Sequence, residues 1–138
     1  MKFIYTMETM QRMSLFEKLT RAKLKDLIEL EDKVFFVIEK GQLRNALGPQ
    51  KKNVQKLEEI FKKKIRIVEY SDVVTQFVIN LLSPLKVVEI VEEDNIITIT
   101  GPDQKTKGLM IGARAKNLRL YESIVQKYFP DIKELKVI

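Results

Sequence analysis

The 138-residue chain contains no cysteine and no histidine. That excludes disulfides, thiolate nucleophiles, imidazole general bases and the usual zinc and haem ligands together. Most familiar catalytic constellations go with them, and the acidic stretches "EEIF", "EEDN" and "PDIKE" read as solvated faces or turns rather than paired catalytic carboxylates. No apolar run approaches the roughly 18 residues a membrane span needs. The N-terminus "MKFIYTMETMQRM" has neither an apolar h-region nor a small-residue cleavage site, so a cytoplasmic protein without a membrane partner is expected. Glycine and proline are scarce, at five and four residues, while 45% of the chain is hydrophobic and 32% charged, which argues for a folded chain over a disordered one.

What the chain does carry is a repeat. The segment "ALGPQKKNV", residues 46–54, returns 64 positions later as "MIGARAKNL", residues 110–118. Each copy has an apolar residue, a glycine, three variable residues, Lys-Asn and an aliphatic. The formal net charge of +6 is concentrated around these copies. From Gly48 to Arg66 there are seven basic residues against Glu58 and Glu59, and from Lys105 to Arg119 there are five basic residues and no acid. The rest of the chain is net acidic. A lysine-rich helix face is usually only solvated, but two clusters at equivalent repeat positions point to an anion-binding surface.

Apolar spacing in "METMQRMSLFEKLT" predicts a helix with Met7, Met10, Met13, Leu15, Phe16 and Leu19 on its apolar side. "AKLKDLIELEDKVFFVIE" reads as a hairpin broken at Glu31-Asp32 and ended by Gly41. "QLRNAL" makes a short helix before Gly48-Pro49, a second helix over about 52–62 shows Val54, Leu57, Ile60 and Phe61 on one face, and "KIRIVEY" is a strand. The order then repeats: a helix over "DVVTQFVINLLS" with Ser71 or Asp72 as candidate N-cap and Pro84 past its end, a hairpin around Glu93-Asp94-Asn95, a short helix over "DQKTKGLMI", a break at Gly112, a helix with Leu118, Tyr121, Ile124, Val125 and Tyr128 inward, and a closing strand "IKELKVI". Two domains are expected, residues 1–70 and 71–138. Phe61, Tyr121, Tyr128 and Phe129 sit at core-like spacings and are expected to pack rather than stack on bases.

A glycine after an apolar residue, between two helices, in halves of under about 70 residues resembles the K-homology (KH) domain in its type II arrangement. With "LFEKLT", "IVEYS", "FVINLLSPLKV" and "KGLMIG" in the same order, residues 7 to 138 resemble the archaeal NusA-like transcription termination/antitermination family. The resemblance implies an α+β fold of two tandem type II KH domains, each αββααβ. It also implies single-stranded RNA as the ligand, clamped where a G-x-x-G loop holds the backbone of about four nucleotides. Carried over residue by residue, the RNA-binding candidates are Gly48, Pro49, Gln50 and Lys51 with Lys52 and Asn53, and Gly112, Ala113, Arg114 and Ala115 with Lys107, Lys116, Asn117 and Arg119. The chemistry fits: glycine permits close approach to a phosphate, the following helix presents unpaired N–H groups, and lysine and arginine add screened attraction.

Neither loop completes the pattern, because Lys51 and Ala115 stand at the second glycine. A negative φ at Ala115 would make that exchange minor. Pro49 removes an N–H donor from the first loop and Lys51 adds bulk there, so the second loop is expected to bind more strongly. Asn53 and Asn117 are candidate caps of the helices they open. No cofactor and no metal are expected. The resemblance implies nascent transcript as the RNA, with RNA polymerase nearby and no catalysis. A protein-assembly module with degenerate grooves is the alternative, and a metal nuclease ranks far lower because no carboxylate set supports it.

Overall fold

The computed structural model describes residues 6–138; the first five residues of the first expected domain lie outside the described residues. The chain is of mixed α+β class and divides into two compact units, Met1–Ser71 and Asp72–Ile138.

In the first unit α1 (Met7–Thr20) is followed by β1 (Leu24–Glu29), β2 (Lys33–Ile38), α2 (Leu43–Leu47), α3 (Lys52–Phe61) and β3 (Lys64–Glu69). The Thr6 hydroxyl caps α1 by accepting from the Thr9 N–H at 3.2 Å, and Arg21 ends it in the left-handed region with its N–H on the Glu17 carbonyl. β1 and β2 pair antiparallel, and β3 runs parallel to β2 on its other side, a connection that requires the intervening helices. The helices cover a cluster containing Phe16, Leu27, Val34, Phe36 and Leu57, with Met13, Leu19, Val54 and Phe61 packed against it. Phe16 stacks on Phe36 at 4.3 Å between centroids, and Phe61 lies 5.7 Å from the same ring. Met7, Met10 and Leu15 of α1 and Ile60 of α3, placed inward by spacing alone, are exposed. The apolar stripe of each helix is narrower than the run of apolar residues in it.

Glu29 joins α1 and the connection between α3 and β3 to β1: it accepts from Arg12 and from Lys63 Nζ, the latter at 2.9 Å, while Arg12 also reaches Glu8 at 2.8 Å. Partial burial raises the Glu29 pKa, but the hydrogen bonds from Lys63 and Arg12 outweigh it and hold the carboxyl below its ordinary value. A depressed folded-state pKa means the group stabilises the fold above its unfolded pKa, and that this is lost as pH falls through the lower folded value. Glu29→Gln is therefore expected to flatten the acid limb of a pH-dependent melting series below about pH 5. An unchanged limb would show that the network contributes nothing there.

The second unit runs α4 (Val74–Leu82), β4 (Glu89–Glu93), β5 (Ile96–Thr100), α5 (Gln104–Ile111), α6 (Lys116–Tyr128) and β6 (Glu134–Val137). Its sheet repeats the first, with β4 antiparallel and β6 parallel to β5. The hairpin turns at Asp94 and Asn95, both left-handed at φ 54° and 63°, as a two-residue connection of this twist demands. The N-cap residue of α4 is neither Ser71 nor Asp72, contrary to expectation. Its N-cap position falls on Val73, which makes no side-chain cap, so both candidates lie one or two residues too early. Asp103 does cap α5, accepting from the Thr106 N–H at 2.7 Å, and that bond holds its carboxyl below the ordinary value. Leu118, Tyr121, Ile124 and Val125 of α6 are buried, Tyr128 meets Phe77 edge-on at 5.5 Å, and Phe129 lies 5.9 Å from the same ring. Tyr121 is in the core, and the half-buried Tyr128 and Phe129 pack against it through Phe77. Among the described residues no helix is long and apolar enough to cross a membrane.

Candidate nucleic-acid interface

Both copies of the repeat fold into the same short turn between two helices. Gly48 (φ 73°, ψ 177°) ends α2 and Gly112 (φ 75°, ψ 173°) ends α5. Gln50 (55°, 28°) and Lys51 (58°, 29°) match Arg114 (56°, 31°) and Ala115 (61°, 23°) within a few degrees. The Lys51 N–H donates to the Gly48 carbonyl at 3.1 Å, and the Ala115 N–H to the Gly112 carbonyl at 3.2 Å. Two chemically unlike tetrapeptides, Gly-Pro-Gln-Lys and Gly-Ala-Arg-Ala, thus take one backbone path.

The asparagine five residues after each glycine explains that convergence. Asn53 Nδ2 donates to the Asn45 carbonyl at 3.1 Å, and Asn117 Nδ2 to the Leu109 carbonyl at 2.9 Å. Each acceptor is the third-last residue of the helix before the loop, one of the carbonyls left without an intrahelical partner. The asparagines therefore close the preceding helix and do not cap the helix they open, a correction to the sequence reading. Their side chains occupy the space a Cβ would need: a methyl at Gly48 would lie 2.7 Å from Asn53 Nδ2, and one at Gly112 would lie 2.7 Å from Asn117 Cγ.

The fourth loop position is left-handed in both copies, so the negative φ that would have made Ala115 a minor change is absent. Alanine and lysine there are strained by about 1 kcal/mol each relative to glycine. Ala115→Gly is expected to stabilise the second unit by up to about 1 kcal/mol, read as a raised denaturation midpoint with RNA affinity retained. A lowered midpoint would contradict the strain.

Among the described residues, the N–H groups of Ala113 and Arg114 find no backbone acceptor. In the first loop only that of Gln50 is in the same state, since Pro49 has none. Two adjacent free donors beside an arginine suit an anionic oxygen better than one. Lys51, Lys52, Arg114 and Lys116 are exposed and make no ion pair among the described residues. Arg119, one turn into α6, pairs with Glu122 at 2.8 Å, so its charge is partly neutralised. Lys107 sits five residues before Gly112 with its stem against Gly101, away from the turn itself. In the first cluster Lys63 is spent on Glu29.

Residues not singled out in the sequence also flank the turns. Leu43 and Leu47 are four apart on α2, hence on one face, and α2 packs beside β3. Ile111 takes the Leu47 position in the second copy. The i, i+4 spacing of Leu43 and Leu47 before Gly48 was the available signal; in the second copy Lys107 stands at the Leu43 position.

Against known proteins, the KH domain family model matches residues 10–84. A probable transcription termination protein NusA of Methanococcus vannielii is 28% identical over 134 residues, covering 95% of this chain and 77% of its own. One of Thermoplasma acidophilum is 29% identical over 125 residues, covering 88% and 87%. The crystal structure of APE1850 superposes with a TM-score of 0.73, covering 97% of this chain and 100% of its own at 24% identity, a likeness of fold alone.

Proposed function

Since the chain belongs to the KH domain family as an archaeal NusA-like member, with RNA binding the role at family level, we propose that both units are type II KH domains in tandem, 1–70 and 71–138, that hold single-stranded RNA. The RNA is nascent transcript, and the role is in transcription termination or antitermination beside RNA polymerase in the cytoplasm, without a catalytic step. The observation that carries this reading is the turn made twice, with one N–H in the first copy and two in the second that find no backbone acceptor among the described residues, beside exposed lysine or arginine at each copy. Phosphate oxygens meet the N–H groups of Gln50, Ala113 and Arg114 and the cations of Lys51, Lys52, Arg114 and Lys116, while Gly48, Pro49, Gly112 and Ala115 shape the backbone that lets them approach. Lys107 and Arg119 contribute longer-range attraction, and Asn53 and Asn117 hold the turns in shape. Bases lie toward the apolar face of Leu43 and Leu47, and of Ile111.

Competition between a single-stranded RNA and the same sequence as a duplex tests the reading. Preference for the single strand by tenfold or more is expected, because a duplex cannot splay its bases. Equal competition would contradict it, and absence of both interactions would leave protein assembly as the better account.

A further inference from the structure

The first unit carries a cleft of about 610 Å³ that the turn alone does not explain. Its walls are Thr20 and Arg21 at the end of α1, Arg44 and Asn45 of α2, and Gly48, Pro49 and Asn53 of the turn. No residue of β3 contributes. Successive helix positions are about 100° apart, so Asn45 lies opposite the face that holds Leu43 and Leu47 and Arg44 lies roughly 80° to one side of it. With Thr20 and Arg21 in its wall, the cleft opens on the α1 side of the turn.

Its chemistry is that of an anion site. Neither Arg21 nor Arg44 makes a hydrogen bond through its side chain or an ion pair among the described residues, and no acid lines the walls. The corner that presents Arg21 is fixed: its own N–H is on the Glu17 carbonyl at 2.8 Å, and the Thr20 hydroxyl donates to the Phe16 carbonyl at 2.8 Å while accepting from the Ala22 N–H. The second unit serves as an internal comparison. Gly108 and Leu109 replace Arg44 and Asn45 at the 64-residue offset, and the segment after α4, Ser83 to Leu85, carries no charge. Only the first copy has the arginine pair.

We infer that this cleft holds one or two further backbone phosphates of the bound RNA, flanking those at the first turn, so that the first unit follows the RNA across the turn and onto its α1 side. The inference rests on the RNA-binding reading. It also gives the first unit a means of offsetting the donor that Pro49 removes.

The test is the salt dependence of binding of a labelled single-stranded RNA oligonucleotide to the full chain. Wild type is compared with Arg21→Gln/Arg44→Gln and with Lys33→Gln/Lys136→Gln, which removes two cations that line neither turn nor cleft. Each single-strand phosphate contact contributes about −0.7 to the log–log slope, so the arginine variant is expected to be shallower by about 0.7 to 1.4 and several-fold weaker at low salt. Its melting curve should match that of wild type, both side chains being exposed. A slope and affinity equal to those of the lysine variant would overturn the cleft while leaving RNA binding at the turns intact. Absence of RNA binding by wild type would remove both.

Discussion

Ala113→Asp/Arg114→Asp lowers affinity for single-stranded RNA by about thirtyfold, roughly 2 kcal/mol. The pair removes a cation and places two carboxylates beside the adjacent N–H groups that find no backbone acceptor. The matched change in the first turn, Gln50→Asp/Lys51→Asp, alters the formal charge by the same three units. It should cost less, because that turn offers one free N–H where the second offers two. Fluorescence anisotropy of one labelled oligonucleotide with both variants reads the comparison directly. Equal losses would refute the ranking of the turns, and no loss in either would refute the turns as phosphate sites.

Gly112→Ala destabilises the second unit by about 2 to 4 kcal/mol. At φ 75° and ψ 173° the backbone is in a region essentially reserved for glycine, a strain of about 1 to 3 kcal/mol for any other residue. The new methyl would also lie 2.7 Å from Asn117 Cγ, 2.8 Å from its Nδ2 and 3.0 Å from its backbone nitrogen. Relief requires the asparagine to leave the Leu109 carbonyl, at about another 1 kcal/mol. Gly41→Ala separates the two causes: φ there is +84°, yet nothing lies within 4 Å of the added carbon. Chemical denaturation should show a distinctly larger loss at Gly112 than at Gly41. Similar losses would mean that the asparagine yields freely and does not hold the turn.

Much of this was readable from residues alone. The repeated glycine and Lys-Asn located both turns, β-branched runs around Asp94-Asn95 located a hairpin, and the spacing of Leu57, Leu118, Tyr121, Ile124 and Val125 found buried faces. What escaped notice has physical reasons. A left-handed backbone announces itself only when glycine occupies it, so Lys51 and Ala115 concealed the fourth turn position. The asparagine bonds span eight residues, beyond the local side-chain to backbone patterns that make such residues read as N-caps. Arg21 and Arg44 are far apart in sequence and meet only because α1 packs beside α2. Ile60 and Leu15 show that an apolar residue at helical spacing is buried only if a neighbouring element covers that part of the helix.

The most direct measurement is the affinity of the wild-type chain for a labelled single-stranded RNA as salt is raised. Contacts at two turns predict binding that weakens linearly on a log–log plot with a slope of about −1.4 or steeper, the value for two phosphates. Absence of binding, or binding indifferent to salt, would contradict a phosphate clamp built on the repeated turn.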